Sequence, residues 1–217
     1  GNQHAVKHGF FCKVLPAETL ELVKDLEEEI ISKTGARLVV DKILVRDTTK
    51  AREGIPSELL IDRWDEILND PQIEIVIEVM GGIRPALTWL EEALRAGKQV
   101  VTANKDLLAE YGEQLFDAAE AGKCDLHFEA AVAGAIPIIR PLRQSLVASE
   151  LTEVMGIVNG TTNYILTRMT EDGMGYEEAL ALATKLGYAE SDPTADVEGY
   201  DAGRKVAIMA VSYTHLT

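Results

Sequence analysis

Hydrophobic positions along the chain follow two spacings, one typical of helices and one typical of strands. Apolar residues three or four positions apart predict an amphipathic helix over residues 17–34, and a β-branched run predicts a strand over 38–45. The same criteria predict, in chain order, helix 57–68, strand 73–79, helix 85–97, strand 99–102, helix 105–121 and strand 125–128. Gly97 and Gly122 follow the last apolar positions of two of these helices, where glycine commonly ends a helix.

Helices separate consecutive strands in this part of the chain. This order favours a parallel sheet, because parallel neighbours can be joined only by a long crossover connection. Ligands of open α/β sheets bind beyond the carboxyl ends of the strands. Four turns follow such ends and are expected to line one cleft: residues 46–47, 80–82, 103–105 and 129–134.

The pattern changes after residue 134. A strand is predicted at 151–158, followed by helices at 162–171, 176–186 and 201–211, which favours an α+β arrangement. We therefore expect a parallel α/β domain over 1–130 and a second, truncated domain over 131–217. Residues 212–217 depart from the helical pattern and are expected to be a sequencing or cloning scar.

Composition and charge narrow the class of protein. The 217 residues are 47% hydrophobic, enough for a core without disulfides or a structural metal. With 21 basic and 36 acidic residues the net charge is −15, which disfavours binding to nucleic acid and to anionic membranes. The cysteines, Cys12 and Cys124, have no ligand-like spacing, as in a reducing compartment, and we expect a cytoplasmic protein without a membrane partner.

Candidate chemistry comes from lysines and nearby acidic residues. Lys105 stands where a predicted strand ends and a helix begins, although a solvated surface lysine is an equally simple interpretation. Asp201 and Lys205 share a helix face at the spacing of a common surface ion pair. The acidic loop 188–198 suits recognition of an ammonium group, or is merely solvated. Residues 159–163 can hold an anion on backbone N–H groups or simply cap a helix.

Five motifs in order resemble the homoserine dehydrogenase family. They are EVMGG at 78–82, VTANK at 101–105, NGTTNYIL at 159–166, GYAE with DP at 187–193, and DVEGYD with RK at 196–205. The resemblance implies a Rossmann-like parallel sheet domain, followed by an α+β substrate domain, in a cytoplasmic homodimer. It also implies NAD(P)-dependent interconversion of L-homoserine and L-aspartate 4-semialdehyde, a step in threonine, methionine and isoleucine biosynthesis.

The resemblance also implies roles for individual residues. Lys205 matches the catalytic lysine that assists proton transfer, Asp201 would hold it or the substrate amine, and Lys105 matches a second active-site lysine. The substrate-binding positions are Gly160, Thr161, Tyr188, Glu190 and Asp196. The cofactor-binding positions are Arg46, Lys50, Gly81, Gly82, Thr102, Ala103, Asn104 and Lys105. A structural sodium ion is implied at Glu129, Val132, Gly134 and Ile136.

Coenzyme choice depends on the turn after the predicted strand 38–45. Arg46, helped by Lys50, stands where an arginine can meet a 2′-phosphate, which favours NADP over NAD. Asp47 follows immediately, and a strand-end arginine is often only solvated. The sequence leaves coenzyme preference open.

The amino-terminal sequence departs from the family pattern. No G-x-G-x-x-G loop precedes the predicted helix 17–34, and residues 10–17 carry bulky side chains where glycines would let a pyrophosphate approach. We therefore expect weak or absent cofactor binding and activity in this chain and an active complete protein. The alternatives are another Rossmann-fold dehydrogenase of amino-acid semialdehydes and a non-catalytic regulatory domain. An aspartate-semialdehyde dehydrogenase would need a nucleophilic cysteine. Cys124 lies at the start of a predicted strand, which disfavours this alternative.

Overall fold

The computed structural model describes residues 32, 33, 35, 37, 39–52, 54–134 and 136–214. Its strands are β1 (Ile43–Leu44), β2 (Leu60–Ile61), β3 (Ile75–Glu78), β4 (Gln99–Thr102) and β5 (Leu126–His127). Its α-helices are α1 (Asp65–Leu68), α2 (Ala86–Arg95), α3 (Lys105–Gly122), α4 (Gly160–Glu171), α5 (Tyr176–Leu186), α6 (Thr194–Val197) and α7 (Tyr200–Thr214). Short 3₁₀ turns occupy Ser57–Leu59 and Glu129–Ala131, and a π-helical turn occupies Pro141–Ser145.

The strands form two parallel sheets. Strands β3, β4 and β5 are neighbours in that order, and β1 pairs with β2 in a separate sheet. The predicted parallel α/β arrangement is confirmed. A mostly apolar cleft of about 570 Å³ is lined by both β1 and β3, including Ile43 and Ile75.

The larger core lies where α2 and α3 pack on the three-stranded sheet. Leu94, Val100 and Leu115 are fully buried there. Gly122 is the last residue of α3, one position later than the predicted end of the helix, and Lys123 takes the left-handed capping conformation. A Cβ atom on Gly122 would lie 1.8 Å from the carbonyl oxygen of Leu94, so glycine is required for the close approach of the two helices.

A second, smaller core joins α4 and α5. Ile165 of α4 packs with Ala179 and Ala183, which are fully buried in α5. Small side chains at this four-residue spacing let the two helices lie close together. Helix α5 has the predicted bounds, and Gly187 ends it with φ of 81°.

Helix α7 belongs to the larger core. It packs against α3, and Ile208 joins the buried cluster around the three-stranded sheet. The expectation that residues 212–214 leave the helix is wrong. Ser212 is buried and donates its hydroxyl hydrogen to the carbonyl of Ile208, which lets a polar residue continue the helix in an apolar setting.

Three other predicted elements differ from the structure. Residues 57–68 form a 3₁₀ turn, β2 and α1 instead of one helix, because Leu60 pairs with Ile43 in a strand. Of the strand predicted at 38–45, the described residues 39–45 form a strand only over β1. Residues 151–158 carry no regular structure, since no strand of the described residues pairs with them.

Several predictions fall outside the described residues. The helix predicted at 17–34 is described only at Ser32 and Lys33, both helical, and the sequence before it is not described at all. The same holds for residues 215–217. Within the described ranges, no helix combines the length and the hydropathy needed to cross a membrane.

Candidate active site

Lys105 is the first residue of α3, at the carboxyl end of β4. Asn104 caps this helix, because its side-chain oxygen accepts a hydrogen bond from the backbone N–H of Leu107 at 3.2 Å. The cap fixes where the helix starts. It therefore also fixes the direction in which Lys105 leaves the sheet edge.

Asp201 joins the two predicted active-site lysines. Its Oδ1 accepts a hydrogen bond from Lys105 Nζ, and its Oδ2 accepts one from Lys205 Nζ at 2.6 Å. Lys205 Nζ also donates to the backbone carbonyl of Val158 at 2.5 Å. Lys105 and Asp201 are 96 residues apart in sequence, so the fold itself assembles this pair.

The lysines determine the charge state of the buried carboxylate. Burial raises the pKa of Asp201, but hydrogen bonds from Lys105, Lys205 and Asn159 outweigh burial and lower the pKa to about 2. Asp201 is only 7% exposed and stays ionised at neutral pH. The cluster of two ammonium groups and one carboxylate therefore keeps one net positive charge when both lysines are protonated.

A cleft of about 450 Å³ opens beside this cluster. Lys105, Asp201 and Lys205 line it together with residues 130–134, Ile136 and 157–160. Two of the four turns expected at one cleft thus contribute to it. The turns at 46–47 and 80–82 do not, because β1 lies in a separate sheet and Met80 lines the cleft shared by β1 and β3.

Of the five predicted substrate residues, only Gly160 lines the cleft. Thr161 donates its hydroxyl hydrogen to the backbone carbonyl of Tyr188 at 2.9 Å. The ring of Tyr188 stacks on that of Tyr164 with centroids 4.6 Å apart. Asp196 is held near Asp201 by Asn159. Glu190 is exposed and is not among the cleft-lining residues.

The predicted cofactor turns are tied together by a buried carboxylate. Glu78, at the end of β3, accepts hydrogen bonds from the backbone N–H groups of Met80 and Gly81 and from the Thr102 hydroxyl. Asn104 completes the link by donating from its side chain to the carbonyl of Gly82 at 2.6 Å. The structure therefore brings together Gly81, Gly82, Thr102, Ala103 and Asn104, next to Lys105.

Sequence reasoning missed Glu78 and Asn159 as members of this network. Glu78 is 4% exposed, and the available signal was a carboxylate in an otherwise apolar strand. Asn159 carried a helix-capping signal that did not reveal its contacts with Asp196 and Asp201.

Comparison with known families decides the identity of this fold. The homoserine dehydrogenase NAD-binding domain family matches residues 14–129, and the homoserine dehydrogenase family matches residues 137–217. The chain belongs to the homoserine dehydrogenase family. The other enzyme family and the regulatory domain considered from the sequence are not favoured by these matches.

Individual homoserine dehydrogenases are similar over most of this chain. The Bacillus subtilis enzyme is 46% identical over 192 residues, which are 88% of this chain and 44% of that protein. The Corynebacterium glutamicum enzyme is 50% identical over 193 residues, or 89% of this chain and 43% of that protein. The chain thus spans less than half the length of these relatives.

Solved homoserine dehydrogenases have the same fold. The structure from Thiobacillus denitrificans aligns with a TM-score of 0.78 and 42% identity, covering 90% of this chain and 46% of that one. A hyperthermophilic archaeal homoserine dehydrogenase in complex with NADPH aligns with a TM-score of 0.64 and 28% identity, covering 87% of this chain and 54% of that one.

The residues expected to meet the coenzyme phosphate lie apart from the lysine cluster. Arg46 and Lys50 are exposed in the turn after β1. This turn is ordered by Asp47, whose carboxylate accepts hydrogen bonds from the backbone and the hydroxyl of Thr49. These bonds lower the pKa of Asp47 and leave Arg46 without a bond to that carboxylate among the contacts of the described residues.

Glu129, which the sequence predicts at a sodium site, binds backbone N–H groups of the segment that follows it in the chain. Its carboxylate accepts hydrogen bonds from the backbone N–H groups of Ile138, Ile139 and Arg140. Val132 is buried, and Gly134 and Ile136 line the cleft. In the described part of the chain, no three His, Cys, Asp or Glu side chains cluster as metal ligands. The sodium site stays a prediction.

Proposed function

We propose that the complete protein interconverts L-homoserine and L-aspartate 4-semialdehyde with NADP or NAD. The observation that carries this proposal is the cleft lined by Lys105, Asp201 and Lys205. Oxidation of the alcohol gives up a hydride and a proton, and reduction of the aldehyde takes up both. A bound nicotinamide would supply or accept the hydride, and the protein must handle the proton.

The two lysines suit the charge that develops on the substrate oxygen. An ammonium group that donates a hydrogen bond to this oxygen stabilises alkoxide character in the transition state. We assign proton transfer to Lys205 Nζ, which gives up a proton as the ammonium when the aldehyde is reduced and takes one up as the neutral amine when the alcohol is oxidised. We assign orientation of the oxygen to Lys105. Asp201 holds both amines toward one point and compensates part of their repulsion. The aldehyde oxygen therefore receives the proton at the same place from which the alcohol proton leaves.

The substrate amine requires negative charge near the cleft. Asp196 and Glu190 supply carboxylates. Thr161 anchors the loop that carries them by its bond to the carbonyl of Tyr188, and Gly160 lines the cleft. Asp196 is supported most directly, since Asn159 holds it beside the lysine cluster.

The residues at the sheet edge fit a nicotinamide dinucleotide. Gly81 and Gly82 have φ of 72° and 75°, and a Cβ at either would meet open space, so the turn presents bare backbone at the carboxyl end of β3. Thr102, Ala103 and Asn104 form the neighbouring turn. Arg46 and Lys50 would favour the 2′-phosphate of NADP. The archaeal relative solved with NADPH supports this choice.

The proposal includes three further expectations, which concern the domain division, the location and oligomeric state of the protein, and a sodium ion. The family matches support a division into two domains near residue 130. Family membership supports a cytoplasmic homodimer acting in threonine, methionine and isoleucine biosynthesis. A sodium ion beside Glu129, Val132, Gly134 and Ile136 would have to share a carboxylate already engaged by three N–H groups, and the mechanism does not depend on it.

Substitution of Lys205 tests the proposed reaction. We expect Lys205→Ala to lower homoserine-dependent reduction of NADP by the complete protein at least about 100-fold, because it removes the proton-transfer group. Steady-state kinetics monitored by NADPH absorbance would measure the loss.

Lys185→Ala is the matched control, since Lys185 lies exposed in the last turn of α5. Its activity should remain at the wild-type level. Survival of activity in Lys205→Ala would contradict the assigned role. A wild-type protein without any homoserine-dependent activity would contradict the reaction itself.

A further inference from the structure

Asn159 stands directly before α4 and makes four side-chain hydrogen bonds. Its Oδ1 accepts from the backbone N–H and from the hydroxyl of Thr162, both at 2.8 Å. Its Nδ2 donates to Asp196 Oδ1 at 2.7 Å and to Asp201 Oδ2 at 2.9 Å. The side chain is nearly buried, and all of its donors and acceptors have partners.

The helix cap fixes the orientation of this amide. Because the oxygen is committed to Thr162 at the first turn of α4, the NH₂ group must point away from the helix. A flipped amide would place its oxygen against two carboxylates and its N–H groups against two donors. The two donated bonds therefore follow from the same local structure that starts α4.

The two carboxylates belong to different elements. Asp196 lies in α6, and Asp201 lies in the first turn of α7. Each donor of Asn159 reaches one of them, so the amide spans the two elements and relieves the repulsion between their charges. Asp201 Oδ2 is shared between this amide and Lys205, and this sharing limits rotation of the carboxylate.

We propose that Asn159 is a positioning residue for the reaction, tying the lysine-holding Asp201 to the substrate-side Asp196. The inference rests on the proposed function, since Asp196 is its ammonium-binding residue. Asn159 acts through these carboxylates and sets the distance between the place where the amine binds and the place where the proton moves. Binding energy from the substrate amine can then be used to align the reacting oxygen.

Capping alone would not require asparagine. Serine and aspartate cap helices about as well, because a cap needs only an acceptor oxygen. Donating to two carboxylates at once requires the amide NH₂ group. The two roles are therefore separable by substitution.

Asn159→Ser and Asn159→Asp keep an acceptor for the helix and remove the amide NH₂ group that donates to both carboxylates. We expect kcat/KM for homoserine to fall on the order of 10- to 100-fold in Asn159→Ser, since bonds to charged groups are lost. Asn159→Asp should fall further, because a third carboxylate would adjoin Asp196 and Asp201. Both kcat and KM should change, as expected when one residue aligns two subsites.

Thr162→Val is the control for the capping role. It removes one bond to the oxygen of Asn159 and leaves both donated bonds in place. Its kcat/KM in the complete protein should stay within about twofold of wild type at comparable thermal stability. Equal kinetic losses in Asn159→Ser and Thr162→Val would overturn the proposal and leave Asn159 as a cap.

A carboxyl-carbon NMR titration of Asp201 provides a readout that does not depend on activity. The groups facing this carboxylate are Lys105 from α3, Lys205 from α7, Asn159, and Asp196 across the amide. In Asn159→Ser the titration of Asp201 should move to higher pH than in wild type. An unchanged titration with unchanged kinetics would overturn the proposal. A shifted titration in a protein inactive toward homoserine would confirm only the bond between Asn159 and Asp201, and would overturn both the proposed reaction and the positioning role that rests on it.

Discussion

At the scale of single residues, Asp201 determines the electrostatics of the cleft. Its carboxylate accepts hydrogen bonds from Lys105, Lys205 and Asn159, and its pKa lies well below the ordinary 3.8. A carboxylate with a lowered pKa stabilises the folded state at every pH above its ordinary pKa. This contribution is lost as the pH falls through the window from about 4 to about 2.

Acid unfolding should reveal this contribution. We expect the free energy of unfolding to fall by about 2 kcal/mol across this window on account of Asp201, because a pKa lowered from 3.8 to about 2 corresponds to that amount. The Asp201→Asn variant should show a shallower dependence, measured by urea unfolding at a series of pH values.

Asp47→Asn serves as the comparison, since Asp47 is exposed and bonded mainly to Thr49. It should change the acid dependence less than Asp201→Asn does. Identical profiles for wild type and Asp201→Asn would show that the lysines do not hold this carboxylate ionised.

At the scale of secondary-structure elements, Gly122 determines how closely α2 and α3 approach. The Cβ of an alanine would stand 1.8 Å from the backbone carbonyl oxygen of Leu94, and a backbone atom cannot move aside cheaply. The same helix contains Gly112, where a Cβ would lie 3.6 Å from Val211 Cγ1, an ordinary contact. The two glycines therefore allow a matched pair of substitutions.

Gly122→Ala should destabilise the protein by about 1–3 kcal/mol, because the two helices must separate to admit the methyl group. Gly112→Ala should leave stability nearly unchanged, since its Cβ would make only an ordinary van der Waals contact with Val211. Thermal and urea unfolding would measure both. A tolerated Gly122→Ala would contradict the packing described for α2 and α3.

Helices with local signals were predictable from sequence, and so was β4, whose observed bounds are the predicted ones. The elements of segment 57–68 and the hydrogen bonds between distant residues were not. Helix α5 was predicted with its observed bounds, because its apolar spacing and Gly187 are local features. The segment at 57–68 was mispredicted, since the apolar spacing that suits a helix also places Leu60 opposite Ile43. The Asp201–Lys205 pair was predicted as a four-residue spacing. The bonds that Glu78 makes to Thr102, and Asn159 to Asp196 and Asp201, join residues more than 20 positions apart and have no local signal.

At the scale of the whole molecule, α7 joins the lysine cleft to the larger core. Asp201 and Lys205 lie on this helix, and Ile208, 2% exposed, anchors the same helix in the core against α3. Lys105 begins α3. The geometry of the cleft therefore depends on how firmly these two helices pack.

Ile208→Ala should test this dependence. We expect a loss of about 2–4 kcal/mol in unfolding free energy, as for a large aliphatic residue deleted from a core. We also expect lower kcat in the complete protein at temperatures where it remains folded, because Lys205 would shift relative to Lys105. Unfolding curves and kinetics on the same preparation would separate the two effects.

Val206→Ala is the control on the same helix, since Val206 is 55% exposed. It should change neither stability nor kcat appreciably. A destabilised Ile208→Ala with wild-type kcat would show that the cleft does not depend on the packing of α7.

The tryptophans of this chain, two in all, sit at one place. Trp64 and Trp89 stack with ring centroids 5.5 Å apart, and both line the apolar cleft between β1 and β3. Tryptophan fluorescence, excited selectively over that of the tyrosines, therefore originates from this single aromatic pair. A change in tryptophan emission on adding a ligand would therefore report binding near the apolar cleft between β1 and β3. Binding or reaction at the lysines would have to be followed by another chromophore.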